Sequence, residues 1–236
     1  DLHSFPTRRS SDLYSWIWDL ARETLTRLTF DPAQDTHPVW TPDGQRVLFH
    51  SLRTAPGNLF WQAADGTGAV ERFTESPNNQ IASAFSPDGA QLVFREETAT
   101  NGSDLMVLAL EGGRGGQPAS PGAGRRPTSD VRPLVHTTFT EVNGEISPDG
   151  RWMAYQSNES GQDEIYVRPF PDADRGRWQI STGGATRPLW ARSGKELFYV
   201  GQSGAVMSAS VEAGSTFRAG NPRRLFEMNR DRKSVV

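Results

Sequence analysis

Cysteine is absent from this chain of 236 residues, and so are long apolar runs. Without cysteine, disulfide bonds, thiolate catalysis and cysteine-ligated metals are excluded, but the compartment stays open because an oxidising environment permits disulfides without requiring them. No apolar run approaches the roughly 20 residues that a membrane-spanning helix needs. The formal net charge is only −3, so no attraction to nucleic acid or to a membrane surface follows from the charge.

The usual catalytic signatures are also missing. The sequence contains no G-x-S-x-G, H-E-x-x-H or G-x-x-x-x-G-K-[ST] motif and no H-R-D and D-F-G pair. His37, His50 and His136 are the histidines of the main body, and nothing spaces them as ligands, so we expect surface or turn positions for them. The sequence therefore predicts no catalytic residue, no metal site and no cofactor in this chain.

What the sequence does contain is a recurring turn motif. The segment 40–44 (WTPDG) returns as 85–89 (FSPDG), 146–150 (ISPDG) and, in altered form, 190–194 (WARSG). Proline fixes φ early in a turn, aspartate bonds its own backbone and glycine accepts positive φ, so the motif predicts tight hairpins with a structural role. The residues assigned to these structural turns are Pro42, Asp43, Gly44, Pro87, Asp88, Gly89, Pro148, Asp149, Gly150, Ser193 and Gly194.

The spacing of the motif predicts the fold class. The turn glycines Gly44, Gly89, Gly150 and Gly194 are 45, 61 and 44 residues apart, and each repeat offers four short strand-like segments. The longer interval contains 111–130, which has almost no apolar residue and is expected to be a solvated loop insertion. A period near 45 residues with four strands per unit is typical of β-propeller blades.

We therefore expect an all-β chain, a β-propeller fragment of four-stranded antiparallel blades. About four blades are expected, with half of a preceding one. Apolar side chains at matching positions of the repeats are expected to pack between blades. The blade ranges are 14–30 (partial), 38–74, 82–135, 144–181 and 188–226. The matching positions are Trp40, Phe85, Ile146 and Trp190 before the turn, and Val47, Leu92, Met153, Leu197, Phe49, Phe94, Tyr155 and Tyr199 after it.

The two ends of the chain have a different character. Residues 1–13 (DLHSFPTRRSSDL) and 231–236 (DRKSVV) can be back-translated into one oligonucleotide read in opposite directions, and it resembles a common DNA-sequencing adaptor. Two protein ends have no structural reason for this relation, so we expect both to derive from adaptor sequence. The natural chain is then expected to cover 14–230 and to be open at both ends.

The repeats resemble a known family. The segments 40–51 (WTPDGQRVLFHS), 147–161 (SPDGRWMAYQSNESG) and 164–171 (EIYVRPFP) are similar to the TolB-type, WD-like propeller repeat. The best variant match is the propeller that lies carboxy-terminal to bacterial serine/threonine protein kinase domains, on segments 19–31, 194–199 and 217–226. The resemblance implies a six-bladed ring as the complete fold. The resemblance is specific for the fold. It does not identify the function, because the same blades serve several functions.

Three functions remain open at this point. The first is a non-catalytic scaffold that binds protein or peptide, as the sensory or interaction region of a bacterial serine/threonine kinase-type or TolB-like protein. The alternative is the substrate-gating propeller of a prolyl-oligopeptidase-type serine peptidase whose catalytic domain lies outside this sequence. A stand-alone periplasmic TolB-like protein is the third. Both an extracytoplasmic and a cytoplasmic location fit the sequence.

We expect residues 14–230, expressed alone, to aggregate or dimerise. An unclosed ring would leave blade faces and strand edges exposed, and such surfaces associate. Size-exclusion chromatography with light scattering measures the mass directly. A monodisperse monomer that melts cooperatively would contradict this expectation.

Overall fold

Antiparallel strands form nearly all of the structure, a computed structural model that describes residues 13–98, 102–111, 126–214 and 216–228. The strands form four sheets of at least four strands, preceded by one sheet of two. The predicted all-β propeller architecture is confirmed. Of the two ends that we expect to derive from adaptor sequence, 1–13 and 231–236, the structure describes only Leu13.

Each of the four larger sheets is one blade, and its strands follow the order of the chain. The first strands of successive blades contact one another, so they are the inner strands of the ring of sheets. The two-stranded sheet contains β1 (Trp16–Asp19) and β2 (Thr24–Arg27); blade 1 contains β3 (Asp35–Trp40), β4 (Arg46–Ser51), β5 (Asn58–Ala63) and β6 (Glu71–Arg72); blade 2 contains β7 (Asn79–Phe85), β8 (Gln91–Thr98), β9 (Gly102–Leu110) and β10 (Pro127–Val135); blade 3 contains β11 (Glu141–Ile146), β12 (Trp152–Ser157), β13 (Glu164–Pro169) and β14 (Trp178–Gln179); blade 4 contains β15 (Ala185–Trp190), β16 (Glu196–Gly201), β17 (Ala205–Ala213), β18 (Phe217–Ala219) and β19 (Arg223–Glu227).

Two blades differ from the predicted strand pattern. In blade 2, β10 begins at Pro127, so 127–130 belong to a strand and not to the loop predicted over 111–130; residues 112–125 lie outside the described part of the chain. Much of β10 is exposed, which explains why its start reads as loop in the sequence. In blade 4, β17 is long enough to pair with β18 at one end and with β19 at the other.

The hydrophobic core is divided among the interfaces between blades. One cluster joins blades 1 and 2 through residues such as Leu59 and Leu92, another joins blades 2 and 3 through Val93 and Met153, and a third joins blades 3 and 4. Successive side chains of a strand point to opposite faces, so adjacent residues of β8 pack against different neighbouring blades. This stacking places the inner strands side by side.

The predicted packing positions after the turn are buried in every blade. Of the four positions before the turn, two are buried and two are not. Ile146 and Trp190 are buried at 8% and 7% exposure, but Phe85 is half-buried and Trp40 is 50% exposed. The expectation of a buried side chain is therefore wrong for Trp40. The pre-turn side chains face the preceding blade, as Trp190 shows by donating Nε1–H to the carbonyl of Glu145. Trp40 faces the side of blade 1 where only the two-stranded sheet precedes it.

The recurring turn is braced by a side-chain pair. Ser147 donates Oγ–H to Asp149 Oδ1 (2.6 Å) and accepts a hydrogen bond from the backbone of Trp152 (3.0 Å), while Gly150 closes the turn with φ of 71°. The first two repeats contain the same hydroxyl–carboxylate pair. In the fourth repeat, alanine and serine occupy these two positions, and Ser193 accepts one longer bond from the backbone of Lys195. Both strands that leave a braced turn are thus held by side chains as well as by the ladder.

Ser147→Ala is expected to lower the free energy of unfolding by about 1–3 kcal/mol, because it leaves the buried N–H of Trp152 without a partner. Denaturation with urea, followed by tryptophan fluorescence, measures the change. Ser193→Ala is the matched control at the unbraced turn and should change stability by less than about 0.5 kcal/mol. Equal losses in the two variants would contradict the role of the brace.

Candidate functional site

The inner strands share a backbone irregularity. In β3, β11 and β15 the pairing register shifts before the turn, and the residue seven positions before the turn glycine has left-handed φ: 52° at His37, 55° at Asn143 and 56° at Arg187. The equivalent residue of β7, Ala82, begins a shorter shift without positive φ. A β-bulge redirects a side chain, and a left-handed residue other than glycine costs about 1 kcal/mol or more. Three of the four blades thus contain a strained backbone conformation at the same position of the repeat.

The bulges border a cavity of about 670 Å³ between the four inner strands, which we call the axial cavity. Its lining is rich in polar groups at the bulge end. The polar side chains that line it are His37, Ser83, Arg95, Asn143, Glu145, Gln156, Thr186 and Arg187. A concave surface with a few convergent polar groups is the usual form of a binding site.

Gln156 of β12 fixes two of the bulges relative to each other. Its Oε1 accepts a hydrogen bond from Asn143 Nδ2 (2.8 Å) and a longer one from the backbone N–H of Arg187 (3.4 Å). Pro188 follows Arg187 and is buried, so the backbone beside it has little freedom. The left-handed residues of blades 3 and 4 are therefore held by one buried amide.

His37 is connected to the interior of blades 1 and 2. Its Nδ1 lies 3.0 Å from Thr36 Oγ1, which also lies 3.2 Å from Nδ1 of the buried His50. His50 Nε2 lies 2.9 Å from Asn79 Oδ1 in β7. A side chain at Gly57 would collide with this bond, since its Cβ would lie 2.2 Å from His50 Nε2. The expected surface or turn position is thus wrong for His50.

The same hydrogen-bond network returns to the cavity through β8. Asn79 Nδ2 donates to Glu97 Oε2 (2.8 Å), and Glu97 forms an ion pair with Arg95 (2.9 Å). Arg95 lines the axial cavity. His37 and Arg95 are therefore the two cavity ends of one polar network that crosses the interface between blades 1 and 2.

The protein disfavours a positive charge on His37. Desolvation lowers the pKa of His37 below its ordinary value of 6.5, and repulsion by Arg95, His50 and Arg187 lowers it further, while Glu97 opposes the shift. The side chain is exposed to the cavity, but protein surrounds it closely enough to reduce its hydration. At neutral pH His37 is accordingly a neutral donor and acceptor.

Glu145 also lines the axial cavity. It is half-buried in β11, and burial raises its pKa to about 7. It also lines a neighbouring cavity of about 490 Å³ between the first two turns. Glu145 therefore borders both cavities.

The residues that the sequence assigned to structural turns lie away from the bulge residues. The turn aspartates bond within their own turns, and the turn glycines all have positive φ. His136 pairs with Asp104 (2.9 Å), outside the axial cavity. Within the ranges that the structure covers, no three histidine or acidic side chains are arranged to hold a metal ion, and no helix is long and apolar enough to cross a membrane.

Sequence comparison finds distant relatives. No family model matches the chain. The chain is 21% identical over 168 residues to the uncharacterized peptidase YuxL of Bacillus subtilis (63% of this chain, 26% of that protein). It is 35% identical over 83 residues to the uncharacterized protein Atu1656 of Agrobacterium fabrum (35% of this chain, 27% of that protein). The matches thus span about a quarter of the length of these curated relatives.

Structural comparison agrees with the fold. TolB from Acinetobacter baumannii matches with a TM-score of 0.64 and 19% identity, over 90% of this chain and 48% of that chain. Identity this low shows the fold alone. The chain therefore has a β-propeller fold similar to that of TolB.

Glu145→Gln is expected to remove a pH dependence of stability. The carboxyl titrates near pH 7 when folded and near 4.5 when unfolded, so unfolding releases a proton between these values and this group's contribution to the free energy of unfolding falls as pH rises through that window. Relative to the parent chain, the variant should gain stability from about pH 4.5 to about pH 7 and keep that gain above it.

Urea unfolding across this pH range measures the difference between variant and parent. The difference isolates Glu145, because Glu141, whose pKa burial also raises to about 7, is present in both. Glu212→Gln, at an exposed position of β17, is the control. A difference curve that is flat for Glu145→Gln would show that this carboxyl ionises normally.

Proposed function

We propose that this chain is a non-catalytic β-propeller module that binds a protein or peptide segment at the bulge end of the axial cavity. One observation carries the proposal: His37, Asn143 and Arg187 adopt left-handed backbone at matching positions and border the same cavity. Backbone strain of this kind is retained where the surrounding structure holds it, and it clusters at binding sites.

The surroundings of the bulges suit recognition. The side chains at the bulge end of the axial cavity, which we call its mouth, offer hydrogen-bond donors and acceptors. They belong to strands whose packing between blades makes them rigid. Sites on rigid elements hold their polar groups in place and lose little entropy on binding. The open, polar mouth suits an extended segment or a loop of a partner better than an apolar small molecule.

In the wider protein we assign this module to the sensory or interaction region of a bacterial serine/threonine kinase-type protein. The support is the resemblance of segments 19–31, 194–199 and 217–226 to propellers that follow such kinase domains. Longer contiguous DNA tests this assignment. An upstream G-x-G-x-x-G and H-R-D supports it, whereas a downstream G-x-S-x-G would assign the propeller to a serine peptidase.

Peptide-display selection against the purified chain is expected to enrich binding sequences, and Ser83→Arg is expected to abolish their binding. Ser83 is half-buried in the inner strand β7 and lines the cavity, so a large side chain there blocks the mouth. Fluorescence anisotropy of a selected, labelled peptide measures the affinity.

Ser210→Arg is the matched control, because Ser210 is exposed on β17 and does not line the axial cavity. It should bind the peptide like the parent chain, and the melting temperatures of both variants should show that they are folded. Selection that enriches no peptide, or equal binding by Ser83→Arg, would contradict binding at the mouth. Hydrolysis of the selected peptide would contradict the non-catalytic part.

A further inference from the structure

Charge in the axial cavity is not balanced. Arg95 is paired with Glu97 at 2.9 Å. Arg187 is exposed to the cavity, and in the described part of the chain no carboxylate lies within 4.0 Å of its guanidinium. Glu145 shares the cavity but stays largely protonated below about pH 7, because burial raises its pKa to about 7. Below about pH 7, the cavity therefore has the uncompensated charge of Arg187.

Arg187 is also preorganised. Its backbone is left-handed at φ of 56°, its N–H bonds to Gln156, and the buried Pro188 follows it. The base of the side chain is therefore fixed while the guanidinium faces the cavity. A guanidinium presents a planar set of donors that matches a carboxylate in a bidentate pair.

We propose that Arg187 binds a carboxylate of the incoming ligand. The carboxylate is an acidic side chain or the carboxyl terminus of the peptide, and the inference rests on the peptide-binding function proposed above. Binding in a partly enclosed cavity strengthens the pair, because the surrounding protein lowers the effective dielectric constant.

The site predicts that binding weakens as pH rises. A bound carboxylate offsets the repulsion that His37 receives from the arginines, so His37 takes up a proton more readily in the complex. Above about pH 7, ionised Glu145 competes as an internal anion. The charged and titratable groups around this site are Arg95 and Glu97 of β8, His50 of β4, Arg187 of β15 and Glu145 of β11.

The test is an NMR titration of the full chain, with the imidazole signals of His37 as the reporter. Three small probes separate the chemistry: N-acetylglutamic acid α-amide offers a side-chain carboxylate, N-acetylglutamine a terminal carboxylate, and N-acetylglutamine amide none. At least one carboxylate probe should bind and raise the pKa of His37, and the neutral probe should not. The probe that binds more tightly identifies the source of the carboxylate.

Arg187→Asn removes the guanidinium and keeps the backbone, because asparagine tolerates left-handed φ and occupies the equivalent position at Asn143. It should weaken carboxylate binding about tenfold or more. Arg187→Lys keeps the charge but loses the planar guanidinium, so its affinity for the carboxylate probe should lie between those of the parent chain and of Arg187→Asn. Arg192→Asn, at an exposed turn position outside the cavity, is the control and should bind like the parent chain.

The pH arm repeats the titration at about pH 6 and about pH 8, where affinity should be lower at the higher pH. Glu145→Gln should reduce that difference. Equal binding of the neutral probe, or unchanged binding by Arg187→Asn, would overturn the carboxylate site and leave peptide binding at the mouth intact. Carboxylate binding that depends on Arg187, in a chain for which display selection enriches no peptide, would keep the site and overturn the peptide function.

Discussion

Burial of both faces of each four-stranded sheet is the constraint on which the rest of the structure depends. A sheet this small cannot bury two apolar faces by itself, so it must stack on a neighbour at either side. Strand β8 shows the requirement: Leu92 and Phe94 pack toward blade 1, and Val93 packs toward blade 3. Because the interfaces are set by these side chains, the edges of the sheets that face the centre are brought close together.

The inner strands combine two kinds of backbone at their two ends. At the turn end, the pair Ser147 and Asp149 braces a tight hairpin and stabilises the ladder. At the other end, the bulges hold His37, Asn143 and Arg187 in left-handed conformations that cost free energy. The braced turns and the interfaces between blades stabilise the structure away from the cavity, and this stability offsets the cost of the bulges that carry the side chains of the proposed binding site.

Interactions between blades also set the electrostatics of the cavity. His37 and Arg95 belong to different blades and are joined through His50, Asn79 and Glu97. A change of charge at one side of the cavity therefore alters the electrostatic potential at the other side. The distance is short, and the surrounding protein reduces screening by water. The proposed binding of a carboxylate would therefore be coupled to proton binding at His37.

Sequence periodicity was a sound guide to the strands, because a turn motif and alternating apolar residues are local signals. Positions such as Phe94 and Tyr155 were predicted as packing residues and are buried. Trp40 was not buried as expected, since its burial depends on what precedes blade 1 and not on its own repeat. His50 was expected at the surface because no short-range pattern marks a histidine whose partners are Thr36 and Asn79.

The sequence by itself determined the hairpin turns, because each rests on a few neighbouring residues. It also determined the four-strand repeat and the β-propeller class, because the turn motif recurs with a period near 45 residues. A polar residue seven positions before the turn glycine recurs in three repeats, yet the alignment alone assigns it no geometry. Tertiary structure decided that His37, Asn143 and Arg187 border one cavity. The physical reason is that blade stacking, not chain proximity, brings together bulges that lie far apart in the sequence.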